Sequence, residues 1–285
     1  MSSKRRNDVW DPLADSKSDR ARAAEVLSTP QTEAPAYRLA FADEDFLCRE
    51  ELRPVRLQLE LLKPDIMLEE RGIKSTVVMF GGARIPAPGK DAWAAKNETQ
   101  RKNLTAASKY YEEARKFARI CSQHSSGTNN TEFVVVTGGG PGVMEAGNRG
   151  AADDASPSIG LNIILPHEQA PNEFVTPELC FNFHYFAVRK MHFLMRARAI
   201  TVFPGGFGTM DELFETLTLI QTGRMEAVPV ILFGAEFWHK IINFEELAAF
   251  GTISPEDLGL ISFVESADEA WQIIVDHYAL EDATQ

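Results

Sequence analysis

One stretch, from residue 199 to about residue 222, constrains the fold more than any other part of the chain. Residues 199–203 (AITVF) are an apolar run, residues 204–208 (PGGFG) contain three glycines, and a helix-forming segment follows. An apolar strand without polar alternation is typical of a central strand in a buried parallel sheet. Thr209 is the predicted N-cap of the helix. A helix that begins at the carboxyl end of a strand indicates an anion site, and the plainer alternative is a capped helix after a tight turn.

Two other apolar runs also end in glycines. Residues 75–80 (STVVMF) lead into Gly81 and Gly82, where a plain strand-to-loop turn is the alternative, and residues 133–137 (FVVVT) lead into the run at residues 138–142 (GGGPG). Strands alternating with helices predict an α/β fold, a Rossmann-like doubly wound parallel sheet flanked by helices. The remaining predicted strands are 158–165, 179–183, 228–233 and 260–264, and the remaining predicted helices are 91–124, 184–198, 235–250 and 266–278.

Three regions are predicted along the chain. Residues 1–35 are polar and are expected to be a mobile tail with a short helix around residues 20–27. Residues 36–72 are expected to be a helical extension, interrupted at Pro54 and Pro64. Residues 73–282 are expected to form the Rossmann-like domain.

Composition excludes several classes of function. A formal net charge of −12 disfavours general nucleic-acid binding. The three cysteines, Cys48, Cys121 and Cys180, lie far apart and do not have the spacing of a zinc site or a disulfide framework, which favours the cytoplasm. No apolar run approaches the length of a membrane span, and no secretory signal is expected at the start.

The glycine turns predict a phosphate site. Turns that follow the strands of a parallel sheet lie on one edge, so their backbone N–H groups are expected to surround one anion, with Arg189 or Lys190 neutralising it. Asp211 and Glu212 cannot both face that site, because consecutive helical residues differ by about 100°. One carboxylate is therefore expected to face a ribose, where it stabilises an oxocarbenium-like state and activates water at C1′. The alternative is that both acids only complement the helix dipole.

Other sites have less support. A dinucleotide fingerprint would need glycine in place of Val143, and the strand at residues 158–165 lacks a terminal acid for a ribose hydroxyl unless Glu168 serves. His184 and His192 are expected to be packing residues. No grouping of side chains indicates a metal, and no G-x-S-x-G elbow indicates a serine nucleophile.

Several motifs resemble a known family. Residues 204–212 (PGGFGTMDE) match the P-G-G-x-G-T-x-x-E signature of the LOG ("lonely guy") family, and Arg189-Lys190 matches the Arg-Lys pair upstream of it. Residues 138–144 (GGGPGVM) are similar to the family's G-G-G-x-x-G-x-M loop, with one residue fewer between the glycines. The resemblance covers residues 75–280. The family is often mislabelled as lysine decarboxylase, and no lysine context in this sequence indicates a pyridoxal Schiff base.

The resemblance implies hydrolysis of the N-glycosidic bond of a nucleoside 5′-monophosphate, AMP or a cytokinin riboside monophosphate, to free base and ribose 5-phosphate. It implies that Glu212 and Arg189 are catalytic, that no cofactor or metal is needed, and that the chain forms a homodimer or a larger homo-oligomer. The alternative is a non-catalytic nucleotide or molybdenum-cofactor carrier of similar fold, which needs no acid at Glu212. From the turns and the resemblance together, the expected substrate-binding residues are Gly81, Gly82, Gly138, Gly139, Gly140, Gly142, Glu168, Lys190, Gly205, Gly206, Phe207, Gly208, Thr209, Met210, Asp211 and Thr218.

Overall fold

The computed structural model describes residues 15–166 and 170–280 of the chain. Its contacts divide the chain into two units, Met1–Lys63 and Pro64–Gln285. The described part of the first unit is helical, with short 3-10 turns between its helices. Its helices are α1 (Ser16–Ala23), α2 (Pro30–Glu33), α3 (Glu44–Leu47) and the start of α4 (Arg53–Glu70).

Two helical predictions for this region need correction. The short helix expected around residues 20–27 is α1, which begins earlier because Asp15 caps it by accepting a hydrogen bond from the Ser18 backbone N–H. Helix α4 continues through Pro64 rather than breaking there, although a proline inside a helix forfeits one backbone hydrogen bond.

The second unit is built on a seven-stranded sheet whose paired strands are all parallel. The spatial order is β4-β3-β2-β1-β5-β6-β7, so the chain builds outward from β1 in one direction and then returns to build outward in the other. This arrangement confirms the predicted doubly wound α/β fold. The strands are β1 (Thr76–Phe80), β2 (Val134–Thr137), β3 (Ile159–Ile163), β4 (Cys180–Phe183), β5 (Ala197–Val202), β6 (Val230–Phe233) and β7 (Ile261–Val264).

Helices cover the sheet and bury its strands. One hydrophobic cluster joins strand residues such as Val77 and Val135 to Phe117, Ala146 and Ile274 of three helices. On β1, Phe80 packs edge-on against Phe193 of a further helix, with ring centroids 4.9 Å apart. The helices of this unit after α4 are α5 (Glu98–Gly127), α6 (Val143–Asp153), α7 (Phe186–Leu194), α8 (Phe207–Gln221), α9 (Ala235–Ile241), α10 (Phe244–Ala249) and α11 (Ala267–Tyr278).

Three predicted helices in this unit differ from the observed ones, and the first of them, expected over residues 91–124, is α5, which begins only at Glu98. The helix expected over residues 184–198 is α7, and it is shorter because Ala197 and Arg198 already belong to β5. The helix expected over residues 235–250 is divided into α9 and α10, because Asn243 between them caps α10 by accepting from the Glu246 backbone N–H at 3.1 Å. Among the described residues, no helix is long and apolar enough to cross a membrane.

Candidate functional site

The three glycine turns contact one another at one edge of the sheet. The Gly82 backbone N–H donates to the Pro204 carbonyl at 3.0 Å, and the Val143 N–H donates to the Gly82 carbonyl at 3.3 Å. Strands β1 and β5 are paired, and their last residues, Phe80 and Val202, lie beside each other. The turns that follow the two strands therefore begin side by side. The structure therefore brings together three turns that are far apart in the sequence, as parallel-sheet geometry predicts.

Two kinds of glycine occupy these turns. At Gly142, where φ is +70°, a Cβ would clash with the Gly82 carbonyl, and at Gly205 a Cβ would clash with the Thr209 side chain. These glycines are needed because protein atoms lie against them. In contrast, no atom lies within 4 Å of a Cβ built at Gly206 or Gly208. Open space therefore lies in front of the start of α8.

The start of α8 differs from the prediction. The N-cap is Gly206 rather than Thr209, and no side chain caps the helix. The extended backbone at Gly206 lets the helix begin at Phe207, so Thr209 lies inside the first turn and its side chain is buried. Because the first N–H groups of a helix have no partner within the helix, the uncapped start of α8 can donate hydrogen bonds to an anion.

The other residues predicted on α8 have different surroundings. Phe207 is 97% exposed, and Met210 is half-buried. Thr218 is exposed and lies almost two turns beyond Glu212, and its hydroxyl donates to the Phe214 carbonyl of the same helix at 2.7 Å. Thr218 is thus the predicted binding residue that the structure places far along α8 from the glycine turns.

Arg189 on α7 lies beside Glu212 on α8. Its Nη1 is 3.8 Å from Glu212 Oε1, and the two side chains are 10% and 14% exposed. Its Nε donates to the Leu161 carbonyl at 2.7 Å, and its guanidinium lies 5.2 Å from the centre of the Phe193 ring. A Cβ at Gly138 would clash with its Nη2, so the guanidinium also lies against the second glycine turn. The arginine is therefore held in one orientation between that turn and α8.

The carboxyl group of Glu212 has an unusual affinity for its proton. Burial raises the pKa of Glu212 to about 7, because burial outweighs the attraction of the Arg189 charge, and Asp211 adds a smaller upward contribution. A carboxyl group with a pKa near neutrality can accept and release a proton at the pH of a cell.

Asp211 and Glu212 point in different directions, as expected for consecutive helical residues. Lys190 Nζ lies 3.1 Å from Asp211 Oδ2 and 3.1 Å from Glu215 Oε2. Asp211 remains half exposed, whereas Glu212 is mostly buried. Lys190, one of the two cations predicted to neutralise a phosphate, is therefore engaged by carboxylates. A shallow depression beside these residues is lined by Phe80, Lys190, Phe193, Leu194, Glu212 and Glu215.

A polar network that the sequence did not reveal holds the second glycine turn. The Asn172 side-chain amide donates to the carbonyls of Gly139 and Gly140, each at 3.0 Å, and to Asn148 Oδ1 at 2.9 Å. Asn148 is fully buried and also accepts from the Thr137 hydroxyl at 2.7 Å. Asn148 could have been found, because it is a polar residue on the otherwise apolar inner face of α6. No sequence pattern indicates Asn172, because the groups that it binds lie more than twenty residues earlier in the chain.

Three further residues considered in the sequence are Glu168, His184 and His192. Glu168 lies outside the described residues. His192 is buried with its ring 5.5 Å from that of Phe183, and the His184 ring lies 4.6 Å from that of Tyr185, as expected for packing residues. Within the described ranges, no group of three or more His, Cys, Asp or Glu residues is placed to hold a metal ion.

Comparison with known proteins gives a family model and a set of solved structures, of which two are TM1055 and a Moco carrier protein. Residues 144–274 match the family model described as "Possible lysine decarboxylase". TM1055, a structural genomics target, is 18% identical with a TM-score of 0.46, over 71% of this chain and 99% of that one. The Moco carrier protein from Chlamydomonas reinhardtii is 17% identical with a TM-score of 0.43, over 72% of this chain and 98% of that one. No curated protein matches the chain.

Proposed function

We propose that the chain is a nucleoside 5′-monophosphate phosphoribohydrolase of the LOG family, a proposal supported by the motifs quoted above and by the match of residues 144–274 to the family model described as "Possible lysine decarboxylase". The proposed substrate is AMP or a cytokinin riboside 5′-monophosphate, and the products are the free base and ribose 5-phosphate. The observation that carries the proposal is the buried pair of Glu212 and Arg189 at the glycine-lined start of α8.

Phosphate binding is assigned to the start of α8. The helix has no side-chain cap, and space is open in front of Gly206 and Gly208. A phosphate there would accept hydrogen bonds from backbone N–H groups and would be favoured by the helix dipole. Glu212 lies little more than one turn further along α8, about a ribose length from the phosphate.

Hydrolysis is assigned to Glu212 and Arg189. Glu212 takes a proton from a water whose oxygen bonds to C1′, while the C1′–N bond breaks and its electron pair leaves with the base. The base then takes up a proton, and Glu212 releases the one it accepted, which regenerates the carboxylate. Arg189 keeps its positive charge throughout, because a guanidinium does not lose its proton near neutral pH. Its role is to orient Glu212 and to stabilise negative charge on the departing base.

The decarboxylase description finds no support in the site. A Schiff base with a carbonyl needs a neutral lysine amine. Burial lowers the pKa of Lys190, but its hydrogen bonds to Glu215 and Asp211 and the charges of these acids outweigh burial, and the net effect raises the pKa. Lys190, the lysine beside Glu212, is therefore held protonated.

The resemblance further leads us to expect a cytoplasmic homodimer or larger homo-oligomer.

The test is release of base from a panel of purine and pyrimidine 5′-monophosphates, including AMP and a cytokinin riboside monophosphate, followed by chromatography. The wild-type chain is expected to release free base and ribose 5-phosphate from at least one of them. Glu212→Gln is expected to lower turnover by about 100-fold or more while nucleotide binding persists. Glu245→Gln, which changes an exposed carboxyl group on α10, is the matched control and should retain activity.

Two outcomes would contradict the proposal. Absence of base release from every monophosphate would exclude the hydrolase. Tight binding of an intact nucleotide or a pterin without turnover would indicate the carrier function instead.

A further inference from the structure

Lys190 joins two carboxylates that flank Glu212 along α8. Its Nζ lies 3.1 and 3.2 Å from the two oxygens of Asp211 and 3.1 Å from Glu215 Oε2. The lysine side chain is 19% exposed, so these contacts are partly shielded from water. Residues 211, 212 and 215 are thus three carboxylates within five positions of one helix.

Two cations lie next to each other on the neighbouring helix α7, and each contacts different acids on α8. Arg189 turns toward Glu212 and the turn at Gly138, whereas Lys190 turns toward Asp211 and Glu215. This division follows from helix geometry, because consecutive residues point about 100° apart. Within the described part of the chain, the charged groups that act on Glu212 are Arg189 and Lys190 from α7, with Asp211 and Glu215 from its own helix.

The charges of these groups oppose each other at Glu212. Two neighbouring carboxylates disfavour its ionisation, and two cations favour it. If Lys190 were absent, Asp211 and Glu215 would retain their charges and repel an ionised Glu212 across a mostly buried site. Of the described groups that act on Glu212, Arg189 would then be the one cation left to balance three acids.

We propose that Lys190 is a positioning residue that offsets the charges of Asp211 and Glu215, so that Glu212 ionises opposite Arg189 with less repulsion from its own helix. Its role is thus to act through Glu212, and contact with the substrate phosphate is left to the start of α8. This inference rests on the proposed role of Glu212 as the proton acceptor.

The decisive experiment measures the ionisation of Glu212 directly and needs no substrate. The protein is labelled with carbon-13 at the glutamate side-chain carboxyl, and the Glu212 signal, identified by its loss in Glu212→Gln, is followed by NMR from pH 4 to 9. Lys190→Met is expected to raise the pKa of Glu212 by about one unit. Lys190→Arg, which keeps the charge, is expected to leave it close to the wild-type value.

A second variant protects the test against misfolding of Lys190→Met. Asp211→Asn combined with Glu215→Gln removes both flanking charges while Lys190 remains, and it is expected to lower the pKa of Glu212. Introducing Lys190→Met into this background should then raise the pKa less than in the wild type if the two acids carry part of the effect.

The result that would overturn the inference is a Glu212 titration that neither Lys190→Met nor the double variant changes. A phosphate-ligand role would appear as weaker binding of inorganic phosphate to Lys190→Met with an unmoved Glu212 pKa, and it would also overturn the inference. If no monophosphate is hydrolysed, the proposed function fails, while the NMR titration still decides the role of Lys190.

Discussion

Glu212 is the residue whose chemistry depends most on its surroundings. Its partner guanidinium is 3.8 Å away, beyond hydrogen-bond distance, and Arg189 directs its Nε to the Leu161 carbonyl. The attraction of Arg189 therefore offsets only part of the cost of removing the carboxylate from water. The pKa of Glu212 is raised to about 7 for this reason.

This shift predicts how stability depends on pH. The pKa of Glu212 is about 7 in the folded chain and near the ordinary 4.5 in the unfolded chain, so the folded state favours the protonated form. The stabilisation of the folded chain by protonated Glu212 is complete below pH 4.5 and is lost as the pH rises through 7. Because Glu212→Gln stays neutral at every pH, its free energy of unfolding is expected to rise relative to that of the wild type by about 3 kcal/mol over that window.

The measurement is urea unfolding of both proteins at pH 4.5, 6 and 8. Glu245→Gln, which changes an exposed carboxyl group, is measured alongside as the control. An equal difference between wild type and Glu212→Gln at all three pH values would contradict the shifted pKa.

Helix α8 and the turn before it form the element on which the proposed phosphate site depends. The glycines of this turn are of two kinds, because some allow protein atoms to pack closely and others have open space in front of them. Gly205 lies against Thr209, whereas no atom lies within 4 Å of a Cβ at Gly208. The two positions can therefore be distinguished by the same substitution.

Alanine at these two glycines should have opposite effects on stability. Gly205→Ala is expected to lower the free energy of unfolding by about 1–3 kcal/mol, because its Cβ clashes with the buried Thr209 side chain. Gly208→Ala is expected to raise it by up to about 1 kcal/mol, since alanine favours a helix over glycine. Base release by Gly208→Ala should nevertheless fall, because the new methyl group occupies the space assigned to phosphate.

Urea unfolding and base-release assays of the two variants check this prediction. A Gly208→Ala protein with increased stability and unchanged turnover would show that the substrate does not approach α8 at this position.

At the scale of the whole molecule, strand order assembles the site. The chain reverses its direction of growth between β1 and β5, and such reversals leave a crevice at the carboxyl ends of the strands. The turns after β1, β2 and β5 meet there, and Arg189 and Glu212 come from the helices that precede and follow β5 in the chain. All of these groups lie within the unit Pro64–Gln285.

A shortened chain that begins at Arg53 is therefore expected to keep the activity. This fragment retains the whole of α4, the sheet and the main hydrophobic cluster. Its base release should be within about threefold of that of the full chain, because a unit with its own core is expected to fold by itself. Circular dichroism establishes that the fragment is folded, and a folded but inactive fragment would show that residues 1–52 contribute to catalysis.

The sequence by itself determined the strands, the glycine turns, their convergence and the family resemblance. Apolar runs, glycines and the P-G-G-x-G-T motif are local patterns. In a parallel sheet the turns that follow the strands lie at one edge, so these local patterns also predict that the turns come together. The convergence of the turns near residues 81, 138 and 205 could therefore be predicted without coordinates.

Only the tertiary structure decided which group each polar side chain contacts. In the structure, the N-cap of α8 is Gly206 and not Thr209. Lys190 contacts Asp211 and Glu215, and Asn172 binds the second glycine turn. The raised pKa of Glu212 also arises from burial among residues of other elements. Local patterns report backbone preferences and periodic burial, whereas hydrogen bonds and ion pairs between distant residues depend on packing distances that no local pattern contains.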